Sequence, residues 1–111
     1  MDSEETLYRS IAERMASAHD DVSEGRMMSR PAIQYKSKVF AFYRKQQMVF
    51  KLGVDYAPED DGIDTWSPLA PFKTKPPLKG WYQIPPQYEA RWPELAERAM
   101  QHIAAEVDGG G

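Results

Sequence analysis

"RMMSRPAIQYKSKVFAFYRKQQMVFKLG", residues 26–53, is where the hydrophobic period of the chain changes to two. Its pieces "AIQYK", "KVFAFYR" and "QMVFKLG" are rich in aromatic, β-branched and methionine side chains, and polar breaks at Lys36-Ser37-Lys38 and Arg44-Lys45-Gln46-Gln47 separate them. With "RMMSR" ahead of them they predict an antiparallel meander of four strands. In the third strand, alternation puts Phe40 and Phe42 on one face and Val39, Ala41 and Tyr43 on the other, so this strand is expected at the centre, covered on both sides. In the fourth, Met48, Phe50 and Leu52 oppose Val49 and Lys51, the pattern of a half-buried strand.

Ahead of the meander, Leu7, Ile11, Met15 and Ala18 recur at helical spacing and predict an amphipathic helix over 3–19, with Asp2 placed to cap it and Glu5 three residues on. "HDDVSEG", 19–25, breaks that pattern with loop formers. Beyond the meander, the acidic stretch "VDYAPEDDGIDTW" predicts one short helix near 61–66, with Asp60 or Asp61 as its cap. "SPLAPFKTKPP" is read as an irregular connection, because each proline removes a backbone donor. "KGWYQIP" alternates Trp81 and Gln83 against Tyr82 and Ile84 as a further strand, closed by Pro85 and Pro86. Trp92, Leu95, Ala96, Ala99, Ile103 and Val107 then mark a helix over 93–106, with Pro93 tolerated in its first turn. The predicted architecture is a single α+β domain over 1–107: an antiparallel sheet of about five strands with N- and C-terminal helices packed on it, followed by a disordered tail at 108–111.

Composition narrows the chemistry. The 111 residues include no cysteine and only His19 and His102 as imidazoles, which removes thiolate chemistry and cysteine-based metal sites and predicts no metal and no cofactor. The opening "MDSEETLYRS" is acidic where a signal peptide is basic and then apolar, and no stretch approaches a membrane span, so a cytoplasmic protein without membrane association is expected. No G-x-S-x-G, H-E-x-x-H or phosphate loop occurs, and the expected protein is not an enzyme. An EF-hand frame with Gly62 at its sixth position fails, because Ala57 and Pro68 would have to supply side-chain oxygens. His19 near the end of its helix and His102 four residues before Glu106 both have structural explanations.

The pattern of "MSRPAIQYKSKVFAFYRKQQMVFKLG", an irregular link, "PPLKGWYQIPP" and "RWPELAERAMQHI" resembles the TfoX N-terminal and YjbR (MmcQ)-like group of small bacterial proteins over roughly residues 25–105. Order and spacing carry the likeness; the chain departs from it at the first hairpin turn, where such proteins often have Asn-Gly and this one has Lys36-Ser37. The resemblance implies a fold similar to the type III secretion chaperone-like fold. It implies little about activity, since members include a domain of a competence regulator and proteins suggested to bind DNA.

Charge is sharply segregated: residues 1–24 hold seven acids against Arg9 and Arg14, 25–54 hold seven bases and no acid, and 55–64 hold five acids and no base. Interleaved with aromatics, Arg30, Lys36, Lys38, Arg44 and Lys45 are candidates for a surface of a regulatory module that binds nucleic acid or another anion. The competing expectation is that these cations pair internally with the acidic first helix and the 55–64 loop, or guard strand edges. A second candidate is a pocket rimmed by Trp66, Lys75, Lys79, Trp81 and Tyr82 beside the crossover. It fits a protein-interaction or dimerisation module, with a protein partner or a homodimer using the sheet edge and aromatic crossover.

Overall fold

The computed structural model describes residues 3–27, 29–70 and 74–109, so the expected cap at Asp2 lies outside the described residues. Helix α1 (Ser3–Ala18) is followed by strands β1 (Val22–Met27), β2 (Arg30–Tyr35), β3 (Lys38–Arg44) and β4 (Gln47–Lys51). A 3-10 turn at Pro58–Asp61, β5 (Ser67–Leu69), β6 (Leu78–Ile84), a second 3-10 turn at Pro86–Arg91 and helix α2 (Trp92–Gly109) complete the chain. The strands form one antiparallel sheet in the order β1-β2-β3-β4-β6-β5. The α+β class is therefore as the sequence predicts, with six strands where about five were expected.

Both differences in strand content fall at the sheet's edges. Val22 to Gly25, read as loop, form most of β1. Of the residues expected to open the meander, Arg26 and Met27 end β1, Ser29 lies in the turn at φ 66°, and Arg30 begins β2. β5 arises inside the proline-rich connection; an outermost strand tolerates Pro68 because one side of its backbone has no ladder to lose. The short helix expected near 61–66 lies earlier, at Pro58–Asp61, entered from Ala57 and ended by Gly62 in the left-handed conformation. Pro58 supplies the preset φ of a first helical turn there, which neither Asp60 nor Asp61 provides.

Both helices pack on one face of the sheet. Tyr8, Ile11, Ala12 and Met15 of α1 join Trp92, Leu95, Ala96, Ala99 and Ile103 of α2 over Ile33, Ala41, Tyr43, Met48, Phe50 and Ile84. The opposite face carries a smaller cluster of Ala32, Phe42, Val49 and Leu69, flanked by Met27, Val39 and Trp81. β4 is accordingly buried on both faces rather than half-buried, with Met48, Val49 and Phe50 all inaccessible.

The face assignment of β3 needs correction. Ile33 pairs with Ala41 but Gln34 pairs with Val39, so Phe40 is one extra residue on β3, a β-bulge. Phe40 therefore turns to the helix side beside Ala41, while Val39 and Phe42 share the other face. The bulge lets one strand feed large rings to both cores.

α2 also outruns its predicted end. It continues through Asp108 to Gly109, where a frayed tail was expected, and Asp108 accepts hydrogen bonds from Tyr35 and Lys36 at the β2–β3 turn.

Candidate binding groove

An open groove of about 430 Å³ lies at the β6–β5 edge, lined by Val54, Trp66, Pro68, Pro76, Pro77, Leu78, Lys79, Gly80, Trp81 and Tyr82. Its floor depends on a close approach of two glycines. The Gly80 carbonyl accepts from the amides of Leu52 (2.9 Å) and Gly53 (3.2 Å), and both glycines have positive φ, 83° and 93°. A β-carbon on Gly80 would stand 3.4 Å from Gly53 Cα, and one on Gly53 would meet His102 Cε1 at 2.8 Å. With no side chains between them, β4 leaves the sheet tightly against β6 and delivers Val54 to the groove.

Tyr82 anchors the inner wall. Its hydroxyl donates to the Gly53 carbonyl at 2.8 Å, and burial pushes the phenol above the ordinary tyrosine value, which keeps it a neutral donor. Trp66 stacks at a tilt on Tyr82 with centroids 4.9 Å apart, and Tyr56 meets the same ring edge-on at 5.3 Å. Trp81, on the opposite face of β6, packs on Phe42 at 5.7 Å. Pro68, Pro76 and Pro77 add stiff walls without backbone donors. Val54, 67% exposed, and Leu78, 39% exposed, are the exposed large apolar side chains among the described residues, and both line this groove. Lys79 supplies a cation at its rim.

Of the rim residues anticipated from sequence, Trp66, Lys79, Trp81 and Tyr82 come together here; Lys75 is exposed and does not line the groove. Val54, Pro68, Leu78 and Gly80 were not anticipated as lining residues. The "Lys-Gly-Trp" joint was the one visible signal, since a glycine between a lysine and a tryptophan marks close backbone approach.

The structure does not gather the five cations of the meander. Ala32 pairs with Phe42, and continuing that register brings Arg30 opposite Arg44, beside the β3–β4 turn that carries Lys45. Lys36 and Lys38 flank the other end of the same strands, about 20 Å away at ~3.3 Å per residue. Lys36 is held by Asp108 at 2.7 Å, Lys51 by Glu106 at 3.2 Å, and Arg44 reaches Gln83 at 3.4 Å. Arg30, Lys38 and Lys45 form no ion pair among the described residues. The internal partners thus come from α2, not from α1 or the 55–64 loop: the helix packs on β2, β3 and β4, and Glu106 and Asp108 near its C-terminal end reach the strand ends. The acidic loop is tied to α2 in turn, with Asp61 accepting from Arg98 (2.8 Å) and from the Tyr56 hydroxyl (2.6 Å).

The histidines are engaged as well. His19 Nε2 lies 3.4 Å from Glu97, and His102 Nε2 lies 3.0 Å from Glu106, which Lys51 also meets. Among the described residues no group of three or more His, Asp or Glu side chains is placed to hold a metal ion, and no helix is long and apolar enough to cross a membrane. A smaller hollow of about 260 Å³ between α1 and α2, lined by Ile11, Arg14, Met15, Pro93, Glu94 and Glu97, has a rim of mixed charge.

Compared with protein-family models, with curated proteins and with solved structures, the chain matches none.

Proposed function

We propose that this chain is a non-enzymatic interaction module of the TfoX-N/YjbR-like type, working in the cytoplasm, which seats an extended apolar segment of a protein partner in the β6–β5 groove. The observation that carries the reading is the placement of Val54 and Leu78, exposed apolar side chains that share one aromatic- and proline-lined groove. Flat rings and proline walls suit a proline- or leucine-containing strand of peptide, and Lys79 favours an acidic residue beside that apolar core.

The test is a titration with short peptides that share a Pro-Leu core and differ only in Asp or Lys flanks, followed by tryptophan fluorescence and backbone amide shifts. Saturable shifts at Trp66, Leu78 and Trp81 with the Asp-flanked peptide, lost in Leu78→Asp, support the reading. Amide shifts that map elsewhere, or none at all, remove it.

A second reading, recognition of nucleic acid or another anion by the meander, retains one supporting observation: Arg30 and Arg44 lie at the same end of adjacent strands, next to Lys45.

A further inference from the structure

β1 is an outermost strand, at the opposite edge of the sheet from the groove, and its backbone has a definite polarity. The Lys36 amide donates to the Asp21 carbonyl at 2.9 Å, one step beyond the Val22–Tyr35 pair. Hydrogen-bonded pairs alternate along an antiparallel ladder, so Ser23, Gly25 and Met27 direct their backbone groups toward β2. Glu24 and Arg26, the residues between, direct theirs away from the sheet. Both side chains are exposed and, two residues apart, lie on one face.

We infer that this edge pairs with the same edge of a second copy of the chain, antiparallel and centred on Gly25. A two-fold axis at Gly25 sets Glu24 of each copy opposite Arg26 of the other. Four backbone hydrogen bonds then form between Glu24 and Arg26 across the dyad, using the outward donors and acceptors. The side chains of the same two pairs meet as cross-strand ion pairs of opposite sign. Gly25 becomes the close, non-hydrogen-bonded pair at the centre, where a missing β-carbon permits the approach. The space above it is taken by Gln34, whose Oε1 would stand 2.7 Å from a β-carbon at 25. Charged residues on an edge strand ordinarily deter pairing; here their order, acid then base about a glycine, is complementary to itself. The result is an isologous dimer with a continuous twelve-stranded sheet, twice the six strands of one chain, and with each groove left open at a far edge.

Sedimentation velocity across a concentration series at low salt tests this. The wild-type chain is expected to show a concentration-dependent monomer–dimer equilibrium. Glu24→Arg, with four like charges at the dyad, and Arg26→Glu, its mirror, should each be monomeric with unchanged circular dichroism. Mixing the two variants should restore a dimer, because the two basic side chains of one copy then face the two acidic side chains of the other. A wild-type chain that stays monomeric at about 1 mM overturns the proposal. So does a dimer indifferent to either substitution, or a mixture of the two variants that fails to associate. Because none of these substitutions touches the groove, peptide binding there succeeds or fails independently.

Discussion

Lys36 Nζ donates to Asp108 Oδ1 at 2.7 Å, and the Tyr35 hydroxyl donates to the other oxygen of the same carboxylate. One acid in the last turn of α2 thereby holds both residues that lead into the β2–β3 turn. Close before it on the helix, Glu106 does the same for β4, accepting from Lys51 at 3.2 Å. Beyond Ile103, its last fully buried residue, the C-terminal end of α2 is fastened to the sheet by these carboxylates, with half-buried Val107 packed on the core between them.

This fastening carries a pH dependence. The hydrogen bond from Lys36, and then that from Tyr35, hold Asp108 below the ordinary aspartate value; Lys51 holds Glu106 down in the same way. Carboxyls depressed in the folded state bind fewer protons there than in the unfolded chain. Their stabilisation is therefore complete above the unfolded values, near pH 4, and is lost as pH falls through the lower folded ones. Thermal midpoints should drop on the acid side, and Glu106→Gln with Asp108→Asn should flatten that limb while leaving the two proteins alike at its foot. Both acids are solvent-exposed, so added salt should shrink the difference. An acid limb unchanged by the double substitution refutes the role given to this pair.

The tight turns of the meander store strain that substitution can release. Lys36 and Ser37 have φ of 46° and 71°, and Lys45 and Gln46 have 49° and 65°, left-handed values at four residues that are not glycine. Such two-residue hairpin loops favour Asn-Gly, and each side chain forced into this region costs roughly 1 kcal/mol. Replacing Lys45-Gln46 by Asn-Gly touches no ion pair among the described residues. It should stabilise by about 1 kcal/mol, visible as a rise of roughly 4–8 °C in Tm. No rise would mean that the unfolded chain gains as much freedom from the glycine as the turn gains relief.

These turns also show how far local sequence reaches. The meander was legible because its apolar period is two and its breaks are short. The bulge was not: "KVFAFYR" alternates equally well with or without an extra residue, and only the helices above Phe40 and the second cluster around Phe42 decide which rings share a face. Val22 to Gly25 look like loop because an edge strand needs little apolar content, and β5 was hidden by prolines that an edge permits. At the groove, Trp66, Trp81 and Tyr82 were visible by composition, whereas Val54 and Leu78 are ordinary letters until the fold exposes them. Charge blocks along the chain pointed to the acidic first helix and the 55–64 loop as partners for the cations, whereas Lys36 and Lys51 are held by Asp108 and Glu106 of α2, a pairing that only the packing of that helix on the sheet decides.

Tyr8 offers a stabilising deletion. Its side chain is 1% exposed, its ring packs on Tyr43 at 5.6 Å, and its hydroxyl has no hydrogen-bond partner among the described residues. Burial accordingly drives its ionisation far above the ordinary tyrosine value. A buried hydroxyl without a partner costs about 1–3 kcal/mol of desolvation, whereas the ring alone loses nothing by burial. Tyr8→Phe should therefore raise Tm, and Tyr8→Ala should lower it, the aromatic cavity costing about 3–5 kcal/mol of stability. Destabilisation by Tyr8→Phe would show that the hydroxyl has found a partner in solution.

The two functional readings separate in a salt series. Nucleic-acid recognition by Arg30, Lys36, Lys38, Arg44 and Lys45 requires those cations to reach consecutive phosphates, and each contact adds about −0.9 to the slope of log affinity against log salt on duplex DNA. The fold works against a single footprint. Lys36 is engaged by Asp108, and Lys36 and Lys38 stand at the end of β2 and β3 remote from Arg30 and Arg44. With duplex or single-stranded DNA, binding should therefore be weak and its salt slope shallow, and changing Lys36, Lys38, Arg44 and Lys45 together to Ser should alter it little. Asp108→Asn sharpens the comparison, because it releases Lys36 without adding a cation. If wild-type binding instead falls steeply with salt, the slope collapses in the fourfold variant and Asp108→Asn tightens it, the meander is the binding surface and the groove is not the principal site.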